Sequence, residues 1–117
     1  MNLVSLTFIL ILMSTTIHAC IKADIQSYMK DIEVEEYEEQ KSKRHTLVHS
    51  KDSCGVSGCE YFIFSEVFPG CTKVTFNEVG FLIPNSFKGR SISLRKAGKV
   101  ERYKYKFKSS KFKRVGP

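Results

Sequence analysis

The chain has 117 residues, a formal net charge of +7, four cysteines and no tryptophan. That length holds one domain and excludes a multidomain enzyme, since domains typically occupy about 100 to 150 residues. The positive balance points to anionic rather than cationic partners.

The chain opens with MNLVSLTFILILMSTTIHAC, whose apolar block runs from Leu3 to Met13. This block is shorter than the ~20 residues a membrane helix needs, and Ala19 supplies the small residue expected at a cleavage point. Residues 1–19 therefore read as a secretory signal peptide, with the remainder secreted and extracellular. A lipobox reading of Ile17-His18-Ala19-Cys20 competes, although no Lys or Arg precedes the apolar block. Export favours disulfides, and Cys20, Cys54, Cys59 and Cys71 allow three pairings among which the sequence does not choose.

Charge is segregated along the chain. Residues 1–44 carry five Lys or Arg against seven Asp or Glu, whereas residues 45–117 carry fourteen against five. Ile21, Ile25, Tyr28 and Ile32 recur at steps of 4, 3 and 4, which predicts an amphipathic helix in the acidic segment 20–44; no Gly or Pro interrupts it. The segment ends in Lys41-Ser42-Lys43-Arg44, and the pair Lys43-Arg44 matches the sites cut by kexin- and furin-type processing proteases. On that reading, 20–44 is a pro-segment that shields the basic remainder electrostatically. The competing reading makes the pair the basic last turn of a helix, offsetting its macrodipole.

Beyond Arg44 helical spacing gives way to short runs rich in aromatic and β-branched residues. HTLVHS (45–50) is a candidate strand, and CEYFIFSEVF (59–68), closed by Pro69-Gly70, predicts a buried central strand. CTKVTF (71–76) alternates, placing Thr72, Val74 and Phe76 on one side, before a turn at Asn77-Glu78-Val79-Gly80 and a further run, GFLIP (80–84). RSISLRK (90–96) alternates Ile92 and Leu94 with polar residues, and Lys96-Ala97-Gly98-Lys99 predicts a tight turn into ERYKYKFKSS (101–110). The fold class is mainly β: a small antiparallel sandwich or open barrel of five or six strands, preceded by the helical segment. Residues 45–117 form the basic domain. Roughly seventy residues bury only about 60% of their unfolded surface, so the cysteines read as structural staples.

In a strand, alternate side chains point to opposite faces, so Tyr103, Tyr105 and Phe107 enter the core while Lys104, Lys106 and Lys108 form a comb outside. Lys99, Arg102, Lys111, Lys113 and Arg114 extend this comb, and Glu101 is the single acid among residues 99–114. Lysines on an edge strand discourage aggregation, yet a local excess this large calls for an anionic partner. An acidic protein surface or an anionic polysaccharide fits best, with an anionic membrane as a further option. Nucleic acid fits less well, because stacking requires aromatics on the charged face.

Catalytic and cofactor signatures are weak. His45, His49, Cys54 and Cys59 supply four possible zinc ligands, but in an order reversed from the familiar zinc finger, and oxidised cysteines do not ligate. A histidine with Glu60 or Glu66 would suit general acid-base cleavage of RNA, although nothing in the spacing selects it. There is no Gly-rich phosphate loop and no Gly-x-Ser-x-Gly elbow. No cofactor is expected.

The order of signal peptide, acidic segment, KSKR and a small cysteine-containing β-rich region resembles the small secreted effectors of plant-pathogenic fungi whose pro-segments are cut by kexin. The run from HTLVHS to YKYKFK is similar in length and strand count to the MAX effectors, which are six-stranded β-sandwiches stapled by a disulfide. The resemblance implies a non-enzymatic virulence protein that binds host proteins on or in the host cell. A cytokine-like binding protein has the same surface. The alternative is a cationic antimicrobial protein released from an acidic precursor.

Overall fold

The computed structural model describes residues 24–52 and 54–116; Ala19, Cys20, Ile21 and the apolar block lie outside the described residues. Among the described residues, one helix, α1 (Ile25–Asp31), precedes seven strands: β1 (Tyr37–Ser42), β2 (His45–Ser50), β3 (Cys59–Phe68), β4 (Cys71–Leu82), β5 (Ser91–Lys96), β6 (Lys99–Lys106) and β7 (Lys111–Val115). All neighbours are antiparallel and follow chain order in one open sheet. The mainly β class predicted from the sequence is therefore the architecture of the protein.

β3 is buried on both faces. Tyr61 and Ile63 point one way and Phe62 and Phe64 the other, which is why its sequence is continuously apolar rather than alternating. On the first face, Leu47, Tyr61, Ile63 and Phe76 from β2–β4 share a core with Ile92, Leu94, Tyr103 and Phe112 from β5–β7, so the sheet folds over on itself. On the second face α1 lies across the sheet. Met29, fully buried, packs with Val48, Phe62 and Phe64, and Tyr28 meets the two phenylalanines edge-on with ring centroids 5.8 and 5.3 Å away.

The helix is shorter than the apolar spacing predicts. It closes with the hydrogen bonds Val34 N–H to Met29 O (2.8 Å) and Glu33 N–H to Lys30 O (3.0 Å), with Glu33 at φ 61°. This is the helix-ending geometry that usually places glycine where Glu33 stands, and Val34 packs into the same cluster as Met29. Ile32, expected on the apolar stripe, is 40% exposed because the helix has already ended. The acidic stretch beyond it is strand, and β1 pairs with β2 from Tyr37↔Ser50 to Ser42↔His45. Lys43 and Arg44 are thus the exposed two-residue turn of a hairpin, with Lys43 at φ 55°, and not the last turn of a helix.

Two further expectations are corrected. The turn predicted at Asn77–Gly80 is absent, and β4 runs unbroken from Cys71 to Leu82. Gly80 is instead where β4 changes partner, pairing with Cys59 of β3 while Phe81 pairs with Arg95 of β5. A side chain at 80 would meet the Arg95 carbonyl oxygen at 3.1 Å, so this glycine marks a close backbone approach. Val74 and Phe76 do not share a face either. Ile63 pairs with Phe76 and Phe64 with Val74, leaving Thr75 as the extra residue of a bulge that reverses the alternation.

The Lys comb is not one strand. The chain reverses at 107–110, which leaves Phe107 63% exposed and brings Phe112 into the core on a seventh strand. Cys54 and Cys59 are disulfide-bonded to each other, and the buried Cys71 is disulfide-bonded as well.

Candidate anion-binding face

Residues directly opposite in an antiparallel ladder project to the same side. Ile92 opposes Tyr103 on the buried side of β5–β7, so the rows between them face outward. These rows are Arg95↔Val100, Ser93↔Arg102↔Val115, Ser91↔Lys104↔Lys113 and Lys106↔Lys111. Arg102, Lys104, Lys106, Lys111 and Lys113, five of the predicted binding residues, therefore meet on one exposed face. Strands lie about 4.8 Å apart and same-face residues about 6.8 Å apart along a strand. The result is a two-dimensional grid of cations rather than a single comb.

Arg95 completes the grid, and it was missed because RSISLRK draws the eye to its apolar alternation. Its register opposite Val100 puts it outside. Lys108 sits in the β6–β7 turn at the edge of the face.

The remaining two predicted residues go elsewhere. Lys99 opposes Lys96 across the β5–β6 turn, on the other side from Arg95 and Val100. Arg114 opposes Tyr103 and lies 3.3 Å from Glu101. Glu101 anchors an ionic cluster at that side of the sheet: Tyr103 Oη donates to it at 2.8 Å, and Lys96 approaches at 3.8 Å while also bonding Glu78. The Tyr103 hydroxyl, aided by Lys96 and Arg114, holds the Glu101 carboxyl below the usual range. Burial pushes Lys96 down, but its bonds to Glu78 and Tyr103 outweigh this and raise it. Burial and the Glu101 bond raise Tyr103.

The single acid among residues 91–117 is thus spent on the inner side. Among the described residues no ion pair involves Arg95, Arg102, Lys104, Lys106, Lys111 or Lys113. Lys104 opposes Lys113 and Lys106 opposes Lys111, an arrangement that costs stability because like charges face each other.

Apolar residues adjoin the grid. Phe81 opposes Arg95, which opposes Val100; Phe81 is 48% and Val100 51% exposed. A shallow groove beside Phe81 is walled by Val79 and by Val56 at the tip of the disulfide loop. Tyr103 and Tyr105 face inward as predicted, whereas Phe107 lies outside with the Arg90 guanidinium 4.8 Å from its ring centre.

The histidines are built into the sheet. His45, nearly fully buried, has Nδ1 2.6 Å from Ser65 Oγ, which in turn is 2.6 Å from Thr75 Oγ1, and the Thr75 hydroxyl donates to Ile63 O at 3.3 Å. Tyr105 and Phe112 stand edge-on to the imidazole. Burial, reinforced by Arg90 and Arg44, pushes its pKa down. The Ser-His spacing suits nucleophile activation, but Ser65 is fully buried and the pair faces the core. His49 lies 3.7 Å from Glu38, and Glu60 accepts a hydrogen bond from Asn77 at 3.1 Å. The sulfurs of Cys54 and Cys59 are taken up by their disulfide.

Comparison of the chain with family models, with curated proteins and with solved structures finds no match. The reading of the site rests on its own chemistry.

Proposed function

We propose that this protein is a secreted, non-enzymatic binding protein that captures an acidic protein surface on the outer face of β5–β7. The observation that carries this is the pair of facing lysine couples, Lys104 with Lys113 and Lys106 with Lys111, none of which is ion-paired among the described residues. Each like-charge couple costs roughly 0.2–1 kcal/mol in the free protein. A ligand carrying carboxylates at matching spacing removes that repulsion on binding and gains charge-assisted hydrogen bonds.

The test uses immobilised poly-glutamate as the acidic partner and dextran sulfate as the polysaccharide probe. Replacing Lys104→Glu and Lys106→Glu together should weaken poly-glutamate binding at least tenfold, about 1.4 kcal/mol. Binding of the unaltered protein should fall steeply as salt rises. Unchanged poly-glutamate binding by the variant would refute the proposal. Retention on dextran sulfate alone would move the partner to the polysaccharide class.

A second reading, a membrane-active host-defence protein, is favoured by Phe81 and Val100, exposed beside Arg95. Such a surface inserts its apolar residues while its cations meet lipid phosphates. Dye release from anionic vesicles at about micromolar protein would support it, given the affinity expected of one amphipathic surface. Intact vesicles would dismiss it.

A further inference from the structure

Resting on the capture by the outer face given above, we propose that the acidic partner is an extended protein segment with one large apolar residue. That residue seats in the groove beside Phe81, and the acids that follow it lie along the cation grid. The groove has a volume of about 540 Å3, within the range of about 300–1,000 Å3 usual for binding pockets. Val79 and Phe81 of β4 form its floor. Val56 and Ser57 stand on the β3 flank, and Lys96 with the Ala97–Gly98 turn stands on the β5 flank. Val56 is fully exposed, and Val79 and Phe81 are half exposed. Single apolar residues on a surface are ordinary, but several gathered around one concavity mark a contact site.

The Val56 wall is fixed in place. Gly55 and Gly58 exchange backbone hydrogen bonds of 2.8 and 3.1 Å, and the Cys54–Cys59 disulfide closes the loop behind them. Gly58 lies against the Gly80 backbone so closely that no side chain at 58 fits between. This contact holds the loop down on β4, next to Phe81. A fully exposed valine adds nothing to the core, whereas as a groove wall it offers apolar surface to an incoming side chain.

Charge selects the occupant. Arg95 opposes Phe81 on the same face and is not ion-paired among the described residues. Val100 opposes Arg95, and Arg102, Lys104 and Lys106 follow it at alternate positions of β6, about 6.8, 14 and 20 Å along the strand. An extended chain has the same period. An apolar residue at one end with acids at every second position after it therefore matches groove and grid over about seven residues. Glu60 stands opposite Val79 on the β3 flank, bonded to Asn77 at 3.1 Å, so an acidic segment leaves the groove over Arg95 and not over β3. A flat lipid surface is a poorer occupant, because it would rest on Val56 and the Ala97–Gly98 turn and leave the floor between them uncovered. A second copy of the chain would bring a further net charge of +7 to the grid.

The experiment measures binding of two acetylated synthetic peptides to the purified chain by fluorescence anisotropy. Both carry glutamate at the third, fifth and seventh positions with serine between; one begins with leucine and the other with serine. The leucine peptide should bind at least tenfold tighter, about 1.4 kcal/mol. That ratio should hold from about 50 mM to about 0.5 M salt while both affinities fall, because salt screens the ion pairs and not the apolar contact. Val56→Ser and Phe81→Ser, shown to be folded by circular dichroism, should each cut the ratio by about threefold or more and leave the serine peptide's affinity unchanged. Equal affinities for the two peptides, binding of neither, or a ratio that both variants leave untouched would overturn the proposal. So would phosphatidylserine vesicles that retain the parent chain but not Val56→Ser while the peptide ratio stays the same, an outcome that assigns the groove rim to a membrane. Lys104→Glu with Lys106→Glu should lower both affinities alike. An unchanged serine-peptide affinity in that variant sinks the capture by the grid, whereas equal affinities in the parent chain sink only the groove.

Discussion

Removing residues 24–44 would strip α1 and β1 from the sheet and turn Val48, Phe62 and Phe64, now 0%, 3% and 1% exposed, toward water. Exposing one valine and two phenylalanines forfeits roughly 1.5–3 kcal/mol each, about 5–9 kcal/mol together. The loss of the hydrogen-bonded partner of β2 comes on top of this. A whole domain is held by about 5–15 kcal/mol, so a chain beginning at His45 should show no cooperative unfolding transition in urea by circular dichroism. Cutting the Arg44–His45 bond alone has a different outcome. The severed segment stays seated through Met29, Tyr28 and the β1–β2 ladder, so the two pieces should co-elute under native conditions. The cut itself should be slow, because Ser42 and His45 are held in the ladder on either side of a two-residue turn and must open before a protease can engage them. A trypsin-like enzyme should cleave after Lys108, in the longer β6–β7 turn, before it cleaves after Arg44. A chain starting at His45 that unfolds cooperatively, with a midpoint within about 0.5 M urea of the full chain, would refute the reasoning.

Three other outcomes follow from the geometry. His45 is held with a lowered pKa, so the unfolded chain binds its proton more readily; stability should be full above the unfolded value of about 6.5 and decline as pH falls from there toward the folded value. His45→Gln should flatten that decline in urea unfolding series at about pH 7.5 and about pH 5, and an unchanged slope would count against it. Glu33→Gly should raise stability by about 0.5–1 kcal/mol, since the αL backbone at φ 61° strains glutamate and not glycine; thermal unfolding reads this as a higher Tm. Gly58→Ala should cost about 3 kcal/mol or more, because its Cβ would fall 2.1 Å from the Gly80 carbonyl oxygen at φ +113°, and a midpoint equal to that of the parent chain would rule out the close approach.

Periodicity made β2, β3 and β5 legible, since each strand carries its own pattern and ends at a turn residue. It failed where structure depends on a neighbour. Nothing within 71–82 announces that β4 leaves β3 for β5 at Gly80, and a glycine three residues after an asparagine reads locally as a turn. The bulge at Thr75 is equally silent, because its reversal of the alternation is visible only against the pairing of β3. The helix end escaped notice because Glu33 occupies a position where glycine is the usual signal.

The site was legible as a charge excess and not as a surface. Counting basic residues over 99–114 gives a comb of eight, but pairing divides them. Five share the outer face, Lys108 sits in the turn, Lys99 lies across from Lys96, and Arg114 joins the ionic cluster around Glu101. Arg95, outside the counted stretch, belongs to the face because β5 is the neighbour of β6. Glu101 matters as much as any lysine. By taking Lys96 and Arg114 to the inner side it removes the one acid that could have neutralised the grid from within residues 91–117. Glu101→Gln should therefore weaken that inner ionic cluster without lowering the charge of the outer face. An anionic partner recognised by the grid should bind this variant as it binds the parent chain. Weaker binding would mean that recognition runs through the inner cluster, and that the lysine couples serve only to keep the sheet from aggregating.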